Sequence, residues 1–202
     1  MFQLKVTSML DFVTRPPSII IPEFLYLGDA KTACWFPQLY SNKITHVINL
    51  SGCSNYWETK ENITKFLNQQ FSKEYEQSLS LEKGTDSSSE NNVIVNKMID
   101  EIIPLSYLRI DIADDPSSNI SKHFHECIGF IENAKSTNGR VYVHCQAGIS
   151  RSATIVVAYL MNSQKISYKR ALNLVKEKRP FVKPNHGFRK QLREFEKKIL
   201  LI

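Results

Sequence analysis

The chain has 202 residues, a formal net charge of +6 and 42% apolar side chains, ordinary values for a globular protein with room for one core, or one core with an insertion. No apolar run approaches the roughly 20 residues that a membrane helix needs, which argues against membrane insertion. Cys34, Cys53, Cys127 and Cys145 have no Cys-x2-Cys spacing and follow no signal-peptide pattern, so the expectation is a reducing compartment, cytoplasmic and/or nuclear, with no metal and no cofactor.

In chain order, residues 1–17 read as a tail ending in Pro16-Pro17, and Ile19–Ile21 and Phe24–Leu27 as two short apolar strands. Ile44–Leu50 is a third strand. A long connection follows, whose centre from Glu82 to Asn92 is polar and cannot offset its own ordering entropy. It predicts a mobile loop, preceded by a helical segment Trp57–Tyr75 and followed by Val93–Leu105 packing back onto the domain. Tyr107–Ile110 is a fourth strand. From Ser121 to Ala134 the apolar residues Phe124, Cys127, Ile128, Ile131 and Ala134 recur at helical spacing and predict an amphipathic helix lying across the sheet. His123, His125 and Cys127 lie in that segment, but His125 points away from the face that the other two share, so a metal site is not expected. Val141–His144 is the fifth strand and Ala153–Met161 a buried helix. This alternation makes an α/β layer fold. Between Lys165 and Lys198 twelve Lys or Arg stand against the three acids Glu177, Glu194 and Glu196. They alternate with apolar residues and read as solvated faces of amphipathic helices, with no nucleic acid expected.

The chemistry concentrates in His144-Cys145-Gln146-Ala147-Gly148-Ile149-Ser150-Arg151-Ser152, a loop from the fifth strand to the buried helix. In such a turn the N–H groups from Gln146 to Arg151 can point inward and the helix adds the positive end of its dipole, which makes an anion site. Gly148 permits the turn. Arg151 offers paired planar donors for two phosphate oxygens or for a trigonal transition state. The amides, the helix terminus and Arg151 all favour thiolate over thiol at Cys145, so it is the candidate nucleophile, attacking phosphorus to give a cysteinyl-phosphate.

His-Cys, five residues, Arg-Ser resembles the signature of the cysteine-dependent protein tyrosine phosphatases. Cys-Gln-Ala-Gly-Ile-Ser-Arg-Ser-Ala-Thr followed by Ala158-Tyr159-Leu160-Met161 is similar to the dual-specificity branch, which includes the MAP kinase phosphatases. Phe24-Leu25-Tyr26-Leu27-Gly28-Asp29-Ala30 resembles the family's second strand and first helix. Arg179-Pro180 through Pro184-Asn185-His186-Gly187-Phe188 resembles the entry to its last helix. The resemblance implies one domain over residues 18–202 with a mixed, mostly parallel sheet of about five strands flanked by helices, and it makes residues 54–104 an insertion.

By the same resemblance the general acid is an aspartate four residues past the isoleucine that ends a strand, which is Asp114 in Ile110-Asp111-Ile112-Ala113-Asp114-Asp115, with Asp111 and Asp115 as competitors. Ser152 would donate to the departing thiolate, and His144 would support the loop as a buried, satisfied histidine. Gln146, Ala147, Gly148, Ile149, Ser150 and Arg151 would bind the phosphate. Cys53 is either a resolving thiol for Cys145 or an unpaired loop cysteine, because sequence does not set the distance between the sulfurs.

Lysines that phosphoinositide phosphatases carry within this loop are replaced by Gln146, Ala147 and Ile149, the glycine of glucan phosphatases by Ser150, and the asparagine of RNA triphosphatase relatives by Ser150 as well. No stretch resembles the aromatic loop that deepens the pocket of tyrosine-only enzymes. The expected substrates are therefore phosphoproteins bearing phosphotyrosine and phosphoserine or phosphothreonine, MAP kinases among them. The alternatives are a phospholipid, RNA or glucan phosphatase, or a silent phosphoprotein-binding module.

Overall fold

In the computed structural model the described residues are 16–54 and 105–200, with the isolated positions 59, 61, 62 and 65. The tail as far as residue 15, the segment Trp57–Tyr75 apart from those four positions, the polar stretch from Glu82 to Asn92 and nearly all of Val93–Leu105 lie outside them. Residues 56–105 form a second unit, in which Lys65 Nζ pairs with Glu61 Oε1 at 2.7 Å across one exposed helical turn.

The remainder is built on five strands, β1 (Ser18–Ile21), β2 (Leu25–Asp29), β3 (His46–Asn49), β4 (Ser106–Arg109) and β5 (Val141–Cys145), in the spatial order β1-β2-β5-β3-β4. β1 runs antiparallel to β2; the pairs β2–β5, β5–β3 and β3–β4 are parallel. The sheet is thus mixed and mostly parallel, as expected. β5 lies at its centre, and all five of its residues are buried, the continuous apolar signature of a strand covered on both faces. Edges fall a residue or two from the sequence reading. Phe24 belongs to the turn before β2, its amide bonded to Ile21 O behind the left-handed Glu23, and Thr45 leaves the third strand to accept the Arg140 amide at 2.8 Å.

Helices α1 (Ala30–Ala33) and α2 (Phe36–Ser41) follow β2, and α3 (Phe124–Ser136) precedes β5 after a 3₁₀ turn over Ser121–His123. α3 buries Phe124, Cys127, Ile128, Ile131 and Ala134, the five positions that its spacing marks. α4 (Arg151–Gln164) buries every residue from Ser152 to Met161 and runs through the core as a helix apolar on all sides. α5 (Tyr168–Lys178) and α6 (His186–Leu200) are amphipathic, with Phe188, Leu192, Phe195 and Ile199 forming the inward stripe of α6. Most of the basic residues of this region occupy the opposite faces.

Because β2, β3 and β5 are parallel, their carboxyl ends lie together, with Asp29 beside Cys145 and Asn49 beside His144 in the ladder. A crevice outside the carboxyl ends of parallel strands is where an α/β sheet binds ligands. The 145–151 loop sits there, between the end of β5 and the first turn of α4.

Candidate active site

Cys145 closes β5 and is 2% exposed. Burial by itself would push its thiol up. Hydrogen bonds outweigh that penalty, from the Ser152 hydroxyl and from the amides of Ser152, Ile149 and Gly148, and they hold the thiol below its ordinary value. Ser152 Oγ donates to the sulfur at 3.2 Å. The amide of Ser152 lies one residue beyond the stretch from Gln146 to Arg151 that the sequence singled out, because α4 begins at Arg151 and its first turn aims at the sulfur.

The loop backbone is fixed from outside. The carbonyl of Gln146 accepts from the Ala30 amide, that of Ile149 from the Lys183 amide, and that of Ser150 from both the amide and the hydroxyl of Thr154. Gly148 has φ +67, and a Cβ there would lie 2.5 Å from both Gly28 O and Arg179 Nη2, so the position admits only glycine.

Arg151 is anchored through Nη1, which donates to Leu50 O at 2.7 Å and to Ile112 O at 3.1 Å. Its buried Nε makes no hydrogen bond within the protein and stands 3.9 Å from Asp114 Oδ2. A buried donor left open is costly unless a ligand satisfies it, and an oxyanion is the complementary partner. One edge of the guanidinium is therefore occupied by the scaffold and the other is held toward the site.

Of the three candidate acids, the structure brings Asp114 to the loop. Its Oδ1 accepts from Ser150 Oγ at 2.6 Å and from Asn185 Nδ2 at 2.9 Å. Asp115 is taken by the amide and hydroxyl of Ser117, which hold its carboxyl below the usual range. Asp111 Oδ1 instead faces the turn at Gly52.

His144 is fully buried and stacks on Tyr142, ring centres 5.6 Å apart. Burial lowers its pKa to about 4, against weaker raising effects of the Cys145 backbone and Asp29, so it is neutral at physiological pH. None of the four cysteines is in a disulfide; Cys34 and Cys53 are exposed and Cys127 and Cys145 are buried. In the segment weighed for metal binding, His123 faces Glu126 at 3.4 Å while Cys127 belongs to the core. A depression of about 430 Å³ opens beside the loop, lined by Asp114, Ile149, Ser150, Lys183, His186 and Arg189 among others.

Two residues of the site carried no such signal in the sequence. Asn185 ties three parts together: its amide donates to Ser150 Oγ at 3.1 Å, its Nδ2 to Asp114, and its Oδ1 caps α6 by accepting from Phe188 N at 2.9 Å. Arg179, 2% exposed, donates from Nε to Gly148 O at 2.8 Å and from Nη2 to Ala147 O at 3.3 Å. In the sequence both residues mark only the approach to the last helix. Their contacts with the loop span 31 to 35 positions of chain, beyond any local pattern.

Residues 87–198 match the family model of the dual specificity phosphatase catalytic domain. Among curated proteins, the chain is 33% identical over 187 residues to a probable rhodanese domain-containing dual specificity protein phosphatase of Dictyostelium discoideum, covering 92% of this chain and 30% of that protein. It is 50% identical over 91 residues to dual specificity protein phosphatase 19 of Mus musculus, covering 45% of this chain and 41% of that one. The chain thus spans less than half the length of these relatives. Among solved structures, that of DUSP15 superposes with a TM-score of 0.62 at 32% identity, over 89% of this chain and 86% of the other. The human tyrosine phosphatase-like serine/threonine/tyrosine-interacting protein superposes with a TM-score of 0.63 at 29% identity, over 92% and 99%.

Proposed function

Because the chain belongs to the dual specificity phosphatase family, we propose that it hydrolyses phosphate monoesters on phosphoproteins, at phosphotyrosine and at phosphoserine or phosphothreonine, through a cysteinyl-phosphate intermediate. The observation that carries this reading is the ring of donors around Cys145 Sγ, namely the Ser152 hydroxyl and the amides of Gly148, Ile149 and Ser152.

In the first step the Cys145 thiolate attacks phosphorus. The P–S bond forms as the bond from phosphorus to the ester oxygen breaks, and Asp114 gives its proton to that leaving oxygen. The amides of residues 146–151, those of Gly148 and Ile149 already turned to the sulfur, and the open edge of Arg151 hold the equatorial oxygens, where charge develops. In the second step water attacks the phosphocysteine, Asp114 takes the water's proton, and the P–S bond breaks. Ser152, 3.2 Å from the sulfur, donates to the thiolate as it leaves. The products are the dephosphorylated side chain and inorganic phosphate, and the enzyme returns to its starting protonation.

His144 supports the loop in its neutral form, and residues 18–202 make up the catalytic domain, with residues 54–104 an insertion and residues 1–17 a tail. Among the described residues no helix is long and apolar enough to cross a membrane. The reading places the protein in the cytoplasm and/or nucleus, with MAP kinases among its phosphoprotein substrates.

Phosphate release from peptides bearing phosphotyrosine, phosphothreonine or both tests the proposal. Hydrolysis of both residue types by the wild-type protein, lost in Cys145→Ser, is the expected result. A wild-type protein that binds these peptides without releasing phosphate contradicts it.

A further inference from the structure

Each peptide group is planar and trans, so the N–H of one residue points opposite to the C=O of the residue before it. Whatever holds the carbonyls of Ala147 and Gly148 outward therefore turns the amides of Gly148 and Ile149 inward. Those are two of the three amides that reach Cys145. The group holding both carbonyls is the side chain of Arg179, with Nε on Gly148 O at 2.8 Å and Nη2 on Ala147 O at 3.3 Å.

The guanidinium is itself pinned. Nη1 donates to Ser18 Oγ on β1 at 3.2 Å, Nη2 stands 3.9 Å from Asp29 Oδ2 at the end of β2, and the Phe181 ring lies 4.4 Å from the guanidinium carbon. Asp29 is fixed in turn, its Oδ1 accepting the Thr32 amide at the start of α1 at 2.9 Å. A planar fork with fixed donor directions spans two adjacent carbonyls, which the single ammonium of a lysine does not. The other carbonyls of the loop, at Gln146, Ile149 and Ser150, are held by backbone or threonine donors. Only the two central peptides depend on a charged side chain from outside the loop.

We propose that Arg179 is the positioning residue of the site: from behind the loop it turns the Ala147–Gly148 and Gly148–Ile149 peptide groups so that their N–H groups face Cys145 Sγ. Arg179 touches neither the sulfur nor the substrate and acts through the backbone. The inference rests on the proposed function for its kinetic consequence but not for its geometry. The charged and titratable groups around the sulfur are Asp29 on β2, His144 and Tyr142 on β5, Asp114 on the loop after β4, Arg151 on α4 and Arg179 itself. Arg179→Met removes that charge and frees Asp29 from its ion pair, whereas Arg179→Lys keeps a positive charge and loses only the fork across the two carbonyls, so a shift confined to Arg179→Met would assign the effect to charge and overturn the proposal.

The test is the pH dependence of Cys145 alkylation by iodoacetamide, followed by mass mapping in wild-type, Arg179→Lys and Arg179→Met proteins, with kcat and KM for an aryl phosphate measured alongside. In Arg179→Met the Cys145 midpoint moves up toward the ordinary thiol value. At acidic pH kcat/KM falls about tenfold for each unit that the midpoint climbs, since the thiolate fraction falls by that factor. Arg179→Lys shows a smaller shift in the same direction and decides the matter if Arg179→Met does not fold. Folded variants that melt earlier yet keep the wild-type midpoint and the wild-type acid limb of kcat/KM would overturn the proposal, leaving Arg179 a stabilising residue only. The alkylation midpoint reads the geometry even in a protein that lacks phosphatase activity, so failure here and failure of the proposed function are distinguishable.

Discussion

Cys127 in α3 and Cys145 at the end of β5 are both buried, 0% and 2% exposed, yet their thiols are driven in opposite directions. At Cys127 burial dominates, the charge of Glu126 adds to it, and the thiol is pushed up to about 12. At Cys145 the same penalty is outweighed by one hydroxyl and three amides. Burial thus makes a thiol inert unless the backbone around it is turned inside out. In α3 every N–H of the interior turns is spent along the helix axis, whereas at the loop the carbonyls of residues 146–150 are spent on the scaffold and the N–H groups of Gly148, Ile149 and Ser152 are turned to the sulfur.

The sharpest way to break this comparison is to remove each sulfur in turn. Cys145→Ser removes hydrolysis of a small aryl phosphate, with a loss of at least about 10³-fold. Cys127→Ala leaves kcat unchanged and costs about 1 kcal/mol in chemical denaturation. A Cys127 variant that loses turnover while remaining folded would contradict the contrast between the two thiols.

Asp114→Ala comes next, with a loss of about 10²-fold on a phosphoserine peptide, whose alkoxide leaving group needs a proton, and much less on para-nitrophenyl phosphate, whose phenolate does not. Equal losses on both substrates would make Asp114 a structural anchor for Ser150 and Asn185. Smaller still is Ser152→Ala. It withdraws one donor from the sulfur, slows turnover about tenfold and raises the fraction of enzyme trapped as phosphocysteine in an acid quench. A rate change without accumulation would remove Ser152 from breakdown of the intermediate.

The pH dependence of stability separates the two ends of the scale. For His144 the folded pKa is depressed to about 4, below the ordinary 6.5 of the unfolded chain. Between those values the unfolded state takes up a proton and the folded state does not, so stability is full above about pH 6.5 and falls as pH drops toward 4, by on the order of 3 kcal/mol. Urea titrations at pH 7 and pH 4.5 read this directly, and His144→Gln flattens the difference. The thiols act on the alkaline side with opposite signs. Cys145, depressed, adds stability as pH rises to the ordinary thiol value, and Cys127, raised, removes it above about 9.

Much of this arrangement was legible in the amino-acid order because it is local. The apolar run before Cys145, the glycine in the loop and the arginine six positions after Cys145 all lie within one strand-turn-helix unit, and the five buried positions of α3 follow its period. Strand limits were less legible, since the left-handed Glu23 and the clamp between Thr45 and Arg140 are settled by tertiary contacts. Least legible were Arg179 and Asn185. A basic residue after an amphipathic helix and an asparagine before the next one look like punctuation, and their contacts with the loop exist only once α4, α5 and α6 have packed. The resemblance points to Asp114, but the hydrogen bonds that set Asp114 against Ser150 and Asp115 against Ser117 are not given by spacing.

The most direct test of the central claim is the ionisation of the Cys145 sulfhydryl in the wild-type protein, followed by its rate of alkylation against pH with Cys127 as the internal reference. The account predicts a Cys145 midpoint clearly below the ordinary thiol value of about 8.5 while Cys127 stays unreactive across the neutral range. A Cys145 midpoint at or above that value would contradict it.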